Sequence, residues 1–373
     1  MAGEVAPAGT STPTFTGAIP TMIRTLRFAC LGLALLGASA IGWAADASFP
    51  AATWGEPLTV EASGWSREGL QAADKIASSL GTQAYLVVHR GALVHGYGDI
   101  ARPLNVYSVR KSLLDVLFGV YVDRGVIDLA KSLEELGIDD EGGLSQAERK
   151  ATVRQLLQAR SGVYHEAAYE TREAKAERPA RGSHVPGEHW YYNNWDFNTL
   201  GGIFERRTGK TVFEALRDDL AGPLQFEDFR YPEHTENAFE RSSRYPAYVM
   251  KLSARDLARV GLLMARDGRW RDRQIVPASW VAESTTAYST EPEGWQGYGY
   301  LWWVPQRAWP FWSRSPGSLF FAWGNGGQYI VVDRQRDLVI VHQIDRSRLL
   351  TRNVTPGALS DLLARILRAS PER

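Results

Sequence analysis

The sequence predicts an α/β (α+β) protein: an antiparallel sheet flanked by helices, with an all-α lobe inserted between two halves of the sheet. Three observations carry this. A strand pair stands near the start of the folded chain at 84–95, and a second stands near its end at 328–343. Between them, apolar residues recur mainly at helical spacing, broken by long loops. The expected layout is one domain over 45–373, with an α/β lobe at about 50–105 and 268–373 and a helical lobe at about 106–267.

Each element has a local reason. Residues 66–81 (SREGLQAADKIASSLG) place Leu70, Ala73, Ile76 and Leu80 at helical spacing. AYLVVH at 84–89, Arg90-Gly91, and 92–95 form a hairpin with a tight glycine turn. The next helix starts near Ser108 and ends at Gly125, with Leu113, Leu114, Leu117, Val120 and Tyr121 recurring at three and four. Further helices are expected at 152–159, 198–207, 212–220 and 253–266. QYIVVD at 328–333, a turn at 334–336 and DLVIVHQ at 337–343 make the second hairpin, and 355–367 is a closing amphipathic helix.

Composition narrows the function. The chain of 373 residues is 44% hydrophobic, enough for a real core, and its 42 Lys+Arg balance 42 Asp+Glu. No basic face is implied, which argues against nucleic acid as a partner. Trp295, Trp302, Trp303, Trp309, Trp312 and Trp323 gather in one region; they serve as core and lid packing, or wall a cleft for an apolar substrate.

The N-terminal region reads as an export signal. Arg24 and Arg27 precede a short apolar run over 28–40, and Gly42 and Ala44 fit a small-x-small cleavage site. Residues 1–21 are a disordered leader or lie upstream of the true start, 22–44 is a signal peptide, and the alternative is a retained anchor. The expected location is periplasmic or secreted, with no stable membrane partner after cleavage. Cys30 is the single cysteine, and Arg27 and Phe28 upstream of it do not fit a lipoprotein site. Cleavage would leave a chain without thiol chemistry or disulfides.

Three segments carry chemistry. Tyr107-Ser-Val-Arg-Lys111 opens a helix, so Ser108 and Lys111 share a face, and the helix N-terminus favours an anionic oxygen. Burial of Lys111 beside apolar surface or positive charge lowers its pKa and makes it a base for the serine. The plainer alternative is a serine N-cap with a surface lysine. Tyr191-Tyr-Asn-Asn194 follows a Pro-Gly pair; Tyr192 can relay a proton, and Asn194 can hydrogen-bond Lys111 or a substrate amide. The alternative there is an aromatic loop packed beneath a helix. Ala322-Trp-Gly-Asn-Gly-Gly327 enters the 328–333 strand, and Gly324, Gly326 and Gly327 let the backbone pass close to a ligand or simply form a turn. The seven histidines show no paired-ligand spacing, so no metal and no other cofactor is implied, and no G-x-S-x-G elbow is present.

The order of these segments resembles serine β-lactamases and penicillin-binding proteins, whose motifs are S-x-x-K, Ser/Tyr-x-Asn and a Lys/His-Thr-Gly-like strand. Tyrosine in the second motif resembles the class C branch, with its esterases and peptidases, and locally the group containing 6-aminohexanoate-dimer hydrolase. The stretches TVRQLLQARSGV (152–163), PGEHWYYNNWDFNTLGGIFE (186–205), KLSARDLARVGLLMARDGRW (251–270) and GNGGQYIVVD (324–333) carry this likeness over roughly 60–370. The resemblance implies Ser108 as acylated nucleophile, Lys111 as general base and Tyr192 as proton shuttle. Asn194, Gly324, Asn325, Gly326, Tyr164 and Trp323 are the implied oxyanion and substrate contacts, with backbone N–H groups of Ser108 and Asn325 as the oxyanion hole. Ala322 stands where the family carries a cation that pairs with a substrate carboxylate. The departure favours small esters or amides without an anchored carboxylate over β-lactams and D-Ala-D-Ala peptides. The alternatives are a β-lactamase or DD-carboxypeptidase proper, an oligoamide hydrolase, or a penicillin sensor that acylates without turnover.

Overall fold

The computed structural model describes residues 48–306, 318–347 and 353–371. The proposed leader and signal peptide, Cys30, Trp309 and Trp312 lie outside them. Helix α1 (Arg67–Leu80) begins where the Ser66 hydroxyl accepts from Gly69 N and ends at left-handed Gly81. Strands β1 (Ala84–His89) and β2 (Ala92–Gly98) are joined by Arg90 and Gly91 at φ 53° and 76°, the two left-handed residues that a tight hairpin needs. Strand β3 (Leu104–Asn105) leads into helix α2 (Val109–Asp123), whose first thirteen residues are all buried. Helices α3 (Val153–Leu157) and α4 (Asn194–Thr208) follow, then strands β4 (Thr235–Glu240) and β5 (Ser243–Leu252), and helix α5 (Ala254–Ala265). Strands β6 (Ser289–Thr290), β7 (Gln296–Tyr298), β8 (Trp303–Pro305), β9 (Leu319–Gly324), β10 (Gln328–Asp333) and β11 (Leu338–Gln343) complete the sheet before helix α6 (Pro356–Ala369).

Among the described residues the main sheet has eight strands in the order β2-β1-β11-β10-β9-β8-β7-β6, all neighbours antiparallel. The first hairpin therefore lies against the last, with Ala84 opposite Gln343. Every residue of β1, β10 and β11 is buried, so these strands read as continuous apolar runs rather than alternating ones. The expected fold class holds.

Two parts of the predicted layout need correction. Helix α5 was expected in the helical lobe, but it packs on β1, β10 and β11 of the sheet. A Cβ at its Gly261 would meet Val339 Cγ1 at 2.4 Å, so glycine permits the close approach. The inserted lobe is also not all helix, because β3, β5 and β4 form a second antiparallel sheet. Strand β5 escaped notice because its burial does not alternate and Pro246 interrupts it.

The glycine turn between β9 and β10 is tied to the sheet from beneath. His342 hydrogen-bonds Gly327 O through Nδ1 at 2.7 Å, and its Nε2 meets Thr82 Oγ1 at 2.8 Å. Complete burial pushes this imidazole down to about 4 from the ordinary 6.5. Its folded-state value lies below its unfolded one, so the stability it contributes is present above pH 6.5 and is lost as pH falls through about 4. Melting curves across that window are expected to show a steeper acid-side loss in wild type than in His342→Gln. Parallel slopes would contradict the assignment.

Candidate active site

Backbone pairing brings the chain to Ser108. Val106 N donates to Met250 O of β5 at 3.0 Å, and Asn105 Oδ1 accepts from Tyr107 N at 2.8 Å. Tyr107 is held at φ 46°, a left-handed conformation that costs a non-glycine residue about 1 kcal/mol. Ser108 then takes the N-cap position of α2 in right-handed geometry, and its hydroxyl makes no capping bond. The simple capping alternative is therefore not what the structure shows.

Lys111 is 1% exposed, one turn into the helix. Its Nζ donates to Ser108 Oγ at 3.1 Å, Tyr192 OH at 2.7 Å and Asn194 Oδ1 at 2.7 Å. Two aromatic faces, Tyr192 at 4.2 Å and Phe197 at 4.4 Å, favour an ammonium there. Burial works against the charge, and so does the neighbouring guanidinium of Arg110; burial is the larger effect, and Lys111 falls well below the usual lysine range. Arg110 is itself 1% exposed, held by Asn198 Oδ1 at 3.2 Å and by the face of Tyr248 at 4.5 Å.

The second motif is fixed by a buried network. Ser161 Oγ donates to Asp196 Oδ1 at 2.5 Å, and Asn193 Nδ2 donates to Val163 O at 2.5 Å and to Asp196 Oδ1 at 3.1 Å. Asn193 also caps α4 through Trp195 N, which points the preceding Tyr192 and the following Asn194 at Lys111. Trp303 stacks on Tyr192 at 5.5 Å, and Trp323 packs against Trp303 at 5.6 Å. Burial pushes the Tyr192 phenol up to about 12. Near neutral pH this phenol keeps its proton.

The third motif lies beside Ser108. A Cβ on Gly324 would stand 2.4 Å from Val106 O and 3.2 Å from Ser108 N, so only glycine lets β9 pass this close. A cleft of about 560 Å³ opens here, lined by Ser108, Tyr192, Asn194, Asn325 and Tyr107, among others. The predicted contacts Gly324 and Gly326 shape the backbone rather than line this cleft, and Trp323 is a packing residue behind Tyr192. Tyr164 is a correction: it is 5% exposed, stands edge-on to Tyr191 and His184, and is not in the cleft wall. Trp302 and Trp303 are buried, Trp323 packs against Trp303 and Trp295 is exposed; none of these four lines the cleft.

Two charged groups in the cleft wall escaped the sequence reading. Ala322 is fully buried in β9, as a strand residue without a cation. Arg346, on the segment after β11, brings a guanidinium to the same cleft and lies over Gly326, where an added Cβ would meet its Cδ at 2.4 Å. Glu173 brings an exposed carboxylate from the short helix Arg172–Glu177. Neither sits in a local motif; long-range folding alone places them. Among the described residues no cluster of three His, Cys, Asp or Glu forms a metal set.

The beta-lactamase family model matches residues 74–355. No curated protein gives a significant match. Solved structures align over most of the chain. A Bacillus anthracis protein assigned as a 6-aminohexanoate-dimer hydrolase is 20% identical, with a TM-score of 0.57 over 87% of this chain and 89% of its own. The octameric penicillin-binding protein homologue of Pyrococcus abyssi is 18% identical, with a TM-score of 0.60 over 82% and 78%. A penicillin-binding protein homologue from Caulobacter crescentus is 16% identical, with a TM-score of 0.60 over 82% and 99%. At these identities the structures speak for the fold alone, but the family match spans most of the sequence together with the ordered S-x-x-K, Tyr-x-Asn and glycine-turn segments. The chain belongs to the beta-lactamase family and has its serine hydrolase fold.

Proposed function

We propose that the chain is a serine acyl hydrolase that cleaves small esters or amides in two steps. Neutral Lys111 takes the Ser108 proton as Oγ attacks the carbonyl. The oxyanion rests on the N–H groups of Ser108 and Asn325. Tyr192 passes a proton to the departing alcohol or amine and is reprotonated from Lys111. Water then attacks the acyl-enzyme by the reverse relay, releasing the acid and restoring Ser108. The observation that carries this reading is the buried Lys111 amine, which touches Ser108, Tyr192 and Asn194 at once. Export to the periplasm or exterior is part of the same proposal, on the sequence of 22–44 alone.

Treatment with a fluorophosphonate, followed by peptide mass spectrometry, tests the nucleophile. A single adduct on Ser108 is expected; an adduct elsewhere, or none, overturns the reading. Tyr192→Phe is expected to lower kcat for alkyl amides about 100-fold and for p-nitrophenyl esters much less, since p-nitrophenolate leaves without a proton. Equal losses on both substrates would contradict the shuttle.

Arg346 favours a second reading, in which the substrate carries a carboxylate as β-lactams and D-Ala-D-Ala peptides do. Ala322 argues the other way. Nitrocefin distinguishes them: turnover that falls in Arg346→Ala supports the carboxylate reading, and no turnover leaves the ester or amide reading.

A further inference from the structure

Arg110 stands one residue before Lys111 on α2 and is as deeply buried. A guanidinium keeps its charge throughout the range in which proteins fold. Buried charges are therefore normally paired. This one is not: among the described residues no carboxylate forms an ion pair with Arg110. Its Nη2 donates to Asn198 Oδ1 at 3.2 Å, while Nε and Nη1 are buried without a hydrogen bond. The ring faces of Tyr248 at 4.5 Å and Tyr169 at 5.9 Å are its remaining support. A buried cation left in this state calls for an explanation.

The charge is held in place beside the lysine. Adjacent helix residues do not face each other, but here both cations reach α4. Asn194 accepts from Lys111, and Asn198, one turn further on, accepts from Arg110. The two asparagines are tied to neighbouring carbonyls, Asn194 Nδ2 to Tyr169 O at 2.8 Å and Asn198 Nδ2 to Ala168 O at 3.1 Å. Residues one turn apart have Cβ atoms about 5–6 Å from each other, close enough for two desolvated cations to repel. Of the charges acting on Lys111, Arg110 drives its proton off, and Glu170 opposes this more weakly while engaged by Arg178. Ser108, Tyr192, Asn194 and Phe197, which touch the amine, carry no charge near neutral pH.

Resting on the hydrolase reading, we propose that Arg110 is a positioning residue whose fixed charge holds the Lys111 amine unprotonated and so sets how far into acid the enzyme acylates. Arg110 does not line the cleft and acts through Lys111 alone.

The test reads acylation against pH, by stopped-flow bursts with a p-nitrophenyl ester, in wild type, Arg110→Gln and Arg110→Met. Both variants remove the charge; glutamine keeps a donor for Asn198 and methionine does not. Both should fold, since each replaces an unpaired buried charge by a neutral group, and melting curves check this. Each is expected to move the Lys111 limb up by about one pH unit or more, as loss of a nearby like charge requires. Acylation on the acid side of the limb then falls about tenfold or more, with the plateau within about threefold of wild type. A limb that stays in place in both variants overturns the proposal. So does a limb that moves only in Arg110→Met, which would make the Asn198 hydrogen bond the requirement. A plateau lowered at every pH with the limb in place would mark Arg110 as structural, and also overturns it. Each of these failures leaves a wild-type limb that vanishes in Lys111→Met, whereas a limb that survives Lys111→Met removes the hydrolase reading itself.

Discussion

Ser108→Ala is expected to abolish ester turnover, with kcat/KM falling about 10⁴-fold or more to the level set by binding and the oxyanion donors alone. The hydroxyl is the only oxygen held by Lys111 Nζ that can attack a carbonyl and be restored by water, since Asn194 offers an amide and Tyr192 a phenol stacked under Trp303. The fold should survive. Ser108 makes no capping bond, and its removal leaves the buried contacts of α2 in place. The measurement pairs p-nitrophenyl butyrate hydrolysis with a melting curve. Retained activity with an unchanged melting temperature would contradict the assignment.

Lys111→Met is expected to cost about 10³- to 10⁴-fold in kcat/KM, because the serine loses its base. Methionine has nearly the same volume and lies well between Tyr192 and Phe197. It leaves Asn194 Oδ1 without its lysine donor, a penalty of about 1–3 kcal/mol, but it also removes the cost of a buried amine. Stability should therefore change little while activity is lost. Lys111→Arg is the sharper control, since a guanidinium keeps positive charge but cannot accept a proton. If Arg restored activity, charge rather than basicity would be the requirement.

Much of this site was readable in the chain because its key spacings are local. Ser108 and Lys111 share a face at i and i+3, and Tyr192 and Asn194 flank a helix cap at Asn193. Helix ends were readable for the same reason: Ser66, Thr152, Ser253 and Thr355 each cap from the position where the apolar pattern starts. What could not be read depends on long-range convergence. Glu173 and Arg346 reach one cleft from segments far apart in sequence, and neither has a motif around it. Helix α5 follows the inserted lobe in sequence but is claimed by the sheet, where Val339 fits against its glycine. Tyr164 was expected near substrate because it follows a motif-like loop, yet Tyr191 and His184 bury it. Proximity in sequence misled there, since a loop residue one position along can face the core.

The rate of Ser108 acylation as a function of pH probes the state of the amine directly. Stopped-flow bursts with a p-nitrophenyl ester, or fluorophosphonate labelling rates, give this profile for wild type and for Lys111→Met. A depressed lysine is neutral above its shifted value, so the wild-type rate should rise along a limb well below the ordinary lysine value of 10.5 and then level off, and that limb should vanish in the variant. A rate that climbs without a plateau through the ordinary lysine range, and does so equally in both proteins, would show that Lys111 does not take the proton.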